Sequence, residues 1–433
     1  MASHQRQAPA TTIGAALSIL CGAEAPAEAL LRLEIPLLSA PHPLEWITHQ
    51  PAGERLYWAD RDGGSHIAGL GFAEKRPIRG DLSDLPHCSG MRWFGGQAFD
   101  PDAPISPEWS CFGPGQLILP RLTLERHGTQ TILALHLLPG ETGCLPEVNA
   151  TPRTIPPLVS TGHVLEPNQS DWSEGVCAAV SAIEDGVLRK VVLSRRARVS
   201  LLTPPDPFAL LAQLAAPQVS TFHFCFELAP GWAFLGCSPE RLFARDGRHL
   251  QTEALAGTRR RGATAATDQA LAEDMLQSPK DREEHDHVVT SITADLTTMC
   301  AELSHPTSPV VHPLHRVQHL LTPIDGTLQD GINDETLLSV LHPTPAVCGQ
   351  PSRSARDFIH DHEPFHRGWY AGPVGWISED RADFAVGIRS ALLQDRALWV
   401  CAGAGLVAAS EPDAEWRELD AKSAQFLAMV EGS

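Results

Sequence analysis

The chain has 433 residues, 43% of them apolar, and carries 33 lysines and arginines against 52 aspartates and glutamates, a formal net charge of −19. That length accommodates one large domain or two to three ordinary ones, and the apolar share is that of a globular protein. So acidic a surface repels a long polyanion, which argues against a nucleic-acid partner but leaves room for a small anion held in a local pocket.

The opening segment MASHQRQAPATTIGAALSIL has an apolar patch, too short and interrupted to span a bilayer and with no compact basic region ahead of it. No other stretch reads as a membrane span, so a cytoplasmic protein with no membrane partner is expected. Aromatic-bearing segments then alternate with turns: PHPLEWITHQ (41–50), GERLYWADRDG (53–63) and GMRWFGGQAFDP (90–101). GQLILPRLTLERHGTQTILALHLLP (115–139) predicts a β-hairpin around HGTQ. The proline-rich stretch 151–171 reads as an irregular connection between an N-terminal half, 1–165, and a C-terminal region, 166–433, the two intertwined in one unit.

From Asp171 the pattern changes. DWSEGVCAAVSAIEDG (171–186) has helical spacing and ends in glycine. Residues 188–201, 220–228, 232–245 and 249–257 read as successive strands. Residues 267–303 predict two helices broken near Ser278-Pro279, 315–328 a strand, 334–343 a helix stopped by proline, 372–407 a glycine-punctuated meander and 415–430 a closing amphipathic helix. Strands in runs and helices in runs predict an α+β fold with large antiparallel sheets rather than a βαβ alternation.

The ten cysteines stand singly with no CxxC pair, which argues against a zinc ribbon or a thioredoxin-type site. Several, such as Cys225 and Cys401, lie in apolar runs and read as reduced core residues. QTEALAGTRRRG (251–262) looks like a phosphate loop, but the overall charge favours a solvent-facing turn for its three arginines. No GxGxxG and no Walker lysine accompany the AGAG of 402–405. ATP and NAD are therefore not indicated.

Candidate chemistry begins with acids. Glu284 lies beside the apolar face of Val288, Val289, Ile292 and Leu296, and Glu415 and Glu418 stand three apart on one helix face. These are either solvated edges or inward ligands for a hard cation such as Mg²⁺, which needs one or two carboxylates plus waters and a substrate anion. HDH at 285–287 is a weak metal motif, because adjacent helix positions do not face one site. Lys190 opens the strand VVLS, and Glu240 follows Ser-Pro after an apolar strand. An amine and a carboxyl withdrawn from water are displaced in opposite senses and make a base and an acid. On residues alone, strand-end surface charges are the simpler account of both.

The segments KVVLSRR, GCSPERLF, TEALAGT, KDREEH, HPTPAVCG, VGIRSA, CAGAGLV and EWRELDAK, in this order from Lys190 to Lys422, resemble the chorismate-utilising enzymes, the group of isochorismate, salicylate, anthranilate and aminodeoxychorismate synthases. LEWI, LYWADRDG, MRWFGGQAFDP, LILPRL and HEPFHRGWYAG resemble the menaquinone-pathway isochorismate synthases within that group. The resemblance implies one α+β fold with the active site in a deep cleft, and chorismate as substrate. It implies that water attacks ring carbon C2 while the C4 hydroxyl leaves. Lys190 would activate the water and Glu240 protonate the departing hydroxyl. Glu284 and Glu418 would hold Mg²⁺, with Glu415 either touching the metal or supporting its ligands. Gly257 and Thr258 would meet the ring carboxylate, and Arg389 and Gly403 the enolpyruvyl carboxylate. Lys422 would be structural or electrostatic.

Within the family, lysine at position 190 implies water rather than ammonia as nucleophile. Ala256 stands where the aminodeoxychorismate enzyme has a nucleophilic lysine. No glutamine amidotransferase segment is present, and a monomer is expected. Salicylate synthases share Lys190 and Glu240 and also eliminate pyruvate. Ala346, Val347 and Tyr370 border that choice, with Tyr370 also a substrate contact. A siderophore-branch isochorismate synthase and a catalytically silent homologue are the other readings, and the intact set Lys190, Glu240, Glu284 and Glu418 argues against the last.

Overall fold

The computed structural model describes residues 2–80, 82–314 and 317–431; the side chains of Ser83, Thr258, Lys280, Glu284 and Glu431 lie outside the described set. Its framework is a continuous hydrogen-bonded network of strands that bends into two runs. The first run passes in bonded order through Leu30–Leu37, Gln130–Leu137, Gly115–His127, Ser65–Pro77, Arg55–Ala59, Phe222–Ala229, Trp232–Ser238, Ser390–Gln394, Ala397–Leu406, Lys190–Leu201 and Ser160–Glu166. The second leaves Gly115–His127 and passes through Trp93–Gln97, Pro373–Ile377, Arg381–Val386, Arg241–Asp246, His249–Arg260 and Val317–Leu328. These pairings are antiparallel; Ala2–Arg6 adds a parallel edge on Leu30–Leu37.

Gly115–His127 serves both runs. Its residues 122–127 pair with 130–135 and its residues 115–118 with 94–97. The bend has a local cause. Pro120 removes a ladder donor, and the facing strand Ser65–Pro77 slips register between Phe72 and Glu74 just after Gly71 at φ +65°.

Because side chains alternate across a strand, each central strand feeds two cores. Phe222, Phe224, Phe226 and Phe234 join Trp58, Phe243, Trp369 and Phe384 between the runs. Their neighbours Cys225, Ala233 and Leu235 face the other way, under Ile47, Phe208, Leu211 and Phe426 from the helices Pro43–Thr48, Pro207–Ala215 and Pro412–Glu431. Trp369 sits at 5.2 Å from Phe112 and 5.8 Å from Phe226, ring centre to ring centre, and so anchors Tyr370 and Ala371 beside it. Burying each such ring contributes about 1.5–3 kcal/mol.

The helices Ala265–Gln277 and Pro279–Thr297 meet at Ser278, as the sequence predicts. Ser278 ends the first and caps the second, its hydroxyl accepting from Asp281 N–H, with Pro279 at the first helical position. Val288, Ile292 and Leu296 bury the second helix against the core. His285 of the HDH motif is buried, with Nε2 at 2.7 Å from the Thr322 hydroxyl, so it braces the helix on the sheet.

Three sequence expectations need correction. The connection 151–171 is irregular only in part: Ser160–Glu166 forms an edge strand on Lys190–Leu201. The three arginines form no turn, and of them only Arg260 is exposed. Arg259 and Arg260 continue the strand, Arg259 pairs with Asp274 and, at 2.6 Å, with Asp281, and Arg261 is 2.5 Å from Asp268. Helix acids that packing brings to the strand end supply the counter-charge the local sequence lacks. All ten cysteines are free; Cys225 is buried as expected, but Cys401 is only partly buried, and Cys21, Cys144 and Cys177 are exposed. No helix among the described residues is long and apolar enough to cross a membrane.

Candidate active site

A cavity of about 180 Å³ opens where the two runs and the closing helix converge. Lys190, Glu240, Gly257, Tyr370, Arg389, Gly403, Glu415, Glu418 and Lys422 all line it, as do Ala256, Ala346 and Val347. Thr258 and Glu284 belong to the strand His249–Arg260 and the helix Pro279–Thr297, but their side chains lie outside the described residues.

Lys190 opens its strand and is 9% exposed. It is flanked by Gln350 in one ladder, while its neighbour Val191 faces Leu406 in the other. Glu240, 6% exposed, sits in the two-residue link between Trp232–Ser238 and Arg241–Asp246. Its N–H donates to the Ser238 hydroxyl at 3.3 Å and its carbonyl accepts from Val386 N–H at 3.0 Å. Burial, followed by the nearby charge of Glu253, raises the Glu240 carboxyl to about 8, against the opposing pull of Lys190 and Lys422. Near neutral pH it is a protonated acid.

Gly257 forms a bulge. The strand slips register against Val317–Leu328 between Ala256 and Thr258, and Gly257 takes φ +72°, a left-handed value that favours glycine. Its carbonyl accepts from His319 Nδ1 at 2.9 Å. Burial, with Arg389 nearby, pushes His319 down to about 3, so the ring is neutral.

Two other cavity residues are left-handed without being glycine: Arg389 at φ +50° and Ala371 at φ +61°. Each such conformation costs about 1–3 kcal/mol and persists only where its surroundings over-determine it. Here the sheet does so: Arg389 C=O accepts from Cys237 N–H at 3.1 Å, and Ala371 N–H donates to Gly387 C=O at 3.0 Å. Arg389 is partly buried, desolvation lowers its pKa, and no carboxylate among the described residues lies within ion-pair distance of it. Its Nη1 donates to Lys422 C=O at 3.3 Å. A guanidinium so placed suits an incoming anion.

On the closing helix, Glu415 and Glu418 share one face and both reach the cavity. Lys422 Nζ bridges Glu418 at 2.6 Å and the Gly403 carbonyl at 2.9 Å, tying the helix to the AGAG strand. Among the described residues no three His, Cys, Asp or Glu side chains converge as a ligand set. The two helix glutamates are hard oxygen donors suited to Mg²⁺, and Glu284 would have to supply a third.

The local sequence HRGWYAG gives no sign of a role for Arg367. Arg367 is buried in the cavity wall, bound to Glu363 at 2.5 and 2.8 Å, and it donates to the Val347 and Val192 carbonyls at 2.8 and 2.7 Å. Glu363 also accepts from Ser194 N–H at 2.7 Å. The pair locks the wall containing Val347, and nothing in the local spacing signals it because its partners come from distant strands.

A buried acid, an amine, a guanidinium and two carboxylates line one cavity, the furnishing of an enzyme that takes a small anion. The chain belongs to the chorismate-binding enzyme family, whose model matches residues 81–431. It is 34% identical over 366 residues to the chloroplastic isochorismate synthase of Catharanthus roseus, covering 79% of this chain and 63%, under two thirds, of that enzyme. It is 37% identical over 342 residues to the salicylate biosynthesis isochorismate synthase of Pseudomonas aeruginosa, covering 76% of this chain and 71% of that enzyme. The solved structure of MenF, the menaquinone-specific isochorismate synthase from Escherichia coli, superposes with a TM-score of 0.87 at 31% identity, covering 97% of this chain and 100% of that one.

Proposed function

We infer that the chain is an isochorismate synthase that isomerises chorismate. The carrying observation is the placement of Lys190, Glu240 and Arg389 around one cavity. Arg389 and the backbone at Gly403 bind the enolpyruvyl carboxylate, and the Gly257 bulge with Thr258 receives the ring carboxylate. Lys190 takes a proton from water as the oxygen bonds to C2. The ring double bonds shift, and Glu240 gives its proton to the C4 hydroxyl, which leaves as water. One water enters and one departs, so the net change is an isomerisation. Glu284 and Glu418, with Glu415 beside them, would hold Mg²⁺. When bound, the ion supplies positive charge against the ring carboxylate, which lets an acidic protein hold a dianion. Ala256 offers no nucleophile, and lysine at 190 favours water over ammonia, so the chain would act without an amidotransferase partner.

Similarity across nearly the whole chain to the menaquinone-specific enzyme supports that pathway over a siderophore branch. The test is to incubate purified protein with chorismate and Mg²⁺ and measure isochorismate, salicylate and pyruvate. Isochorismate without pyruvate is expected, EDTA should stop turnover, and added Mg²⁺ should restore it. Pyruvate in equal amount to product would instead make the chain a salicylate synthase, and undiminished turnover in EDTA would remove the glutamates from the ligand list.

Gly403→Ala probes the carboxylate pocket. A Cβ there would sit 3.1 Å from the Tyr370 hydroxyl and 3.2 Å from Ser194 Oγ and Val192 Cγ1. The packed tyrosine cannot yield freely, so KM for chorismate should rise about tenfold, or ~1.4 kcal/mol, with kcat changed less. Steady-state kinetics with an unchanged melting temperature would check it.

A further inference from the structure

Glu240 is tethered on two sides. One side is the Ser238 and Val386 clamp already described. The other comes from two residues outside the cavity. Glu253, in the strand His249–Arg260, accepts from Arg241 N–H at 3.0 Å, immediately after Glu240. Arg61, in the turn between Arg55–Ala59 and Ser65–Pro77, donates through Nη1 to the same Glu253 oxygen and to the Pro239 carbonyl at 3.2 Å, immediately before Glu240. Both side chains are nearly buried, at 12% and 4% exposed.

We propose that Glu253, gripped by Arg61, is a positioning residue for Glu240: together they fix the peptide groups on either side of it and set the balance of charge that faces its carboxyl. The proposal rests on the reading of Glu240 as the acid. The geometry gives Glu253 a second effect. Among the described residues, three charged groups face the Glu240 carboxyl from other elements: Lys190 from its strand, Lys422 from the closing helix and Glu253 from the strand His249–Arg260; Thr344 adds a hydroxyl. Glu253 is the one negative charge among them. Around Glu253 itself lie Arg61, His312 and, beyond Arg241, the buried Asp383. Arg61 therefore brings the N-terminal half to bear on the acid without entering the cavity.

The two partners have opposite charge, and that makes the proposal testable by direction. An acid catalyst loses activity as pH rises through its pKa. Glu253→Gln keeps an oxygen for Arg241 N–H but removes the negative charge and leaves Arg61 uncompensated, so the alkaline limb of kcat/KM should move about one pH unit toward acid. Arg61→Gln leaves Glu253 uncompensated, so the limb should move the other way, while Arg61→Lys should restore it. A purely structural brace would lower the melting temperature or scale the rate equally at every pH, and unmoved limbs in both variants, or shifts in one direction, would overturn the proposal. If Glu253→Gln does not fold, the Arg61→Gln and Arg61→Lys pair decides alone. Glu240→Gln measured in parallel separates the two ideas: near-wild-type turnover there sinks the acid reading itself, whereas lost turnover with unmoved limbs in the others sinks only the positioning role.

Discussion

Lys190→Ala should lower kcat for chorismate isomerisation by roughly 10²–10⁴-fold, the range that one positioned proton-transfer group contributes. The amine lines the cavity from the strand Lys190–Leu201 and Glu240 from its own link, and a two-proton exchange across a ring needs its base and acid at separate points around it. The fold should survive. The strand's start is held by backbone bonds that the side chain does not make, such as Arg189 N–H to the Gln350 carbonyl at 2.7 Å. Circular dichroism and the melting temperature should match wild type, and small primary amines added to the assay should return part of the lost rate. Turnover within a fewfold of wild type would remove Lys190 from the mechanism.

Glu240→Gln should cost a comparable 10²–10⁴-fold. Glutamine keeps the shape and hydrogen-bonding reach of a neutral carboxyl but has no proton to give. The pH dependence sharpens the test. With its carboxyl raised to about 8, Glu240 is protonated and active below that pH and loses its proton above it, so wild-type kcat/KM should fall through about pH 8. In the glutamine variant the residual rate should lose that alkaline limb. A variant that kept both rate and limb would place the acid elsewhere.

Much of this was legible in the sequence, for physical reasons. Lys190, Glu240, Gly257, Arg389, Gly403 and Glu418 were named through the family resemblance rather than from residue type and spacing, and the fold brings all six to one cavity. The hairpin around HGTQ, the break at Ser278-Pro279 and the closing helix follow from periodicity and capping alone. What stayed hidden depends on partners far along the chain. Arg367 gains its meaning from Glu363 and from carbonyls on two other segments. Arg259 and Arg261 were misread because their counter-charges arrive from helices folded back over the strand. The left-handed backbone of Arg389 has no glycine to announce it. Glu253 and Arg61 are ordinary charges until the fold closes them around Pro239 and Arg241.

The strand that serves both runs has a further consequence, for the order in which the molecule can be made. Leu56 bonds across to Phe226, and Phe94 across to Trp376. Such pairings carry heavy loop-closure entropy and slow folding, since the chain must be ordered over long spans before they form. An emerging nascent chain can complete the hairpin 115–137 early, but the cavity also needs Arg389, Gly403 and the helix Pro412–Glu431, which leave the ribosome more than two hundred residues later. The cavity is thus assembled only after those segments emerge, and until then the aromatic faces of the central strands stay uncovered and in need of protection.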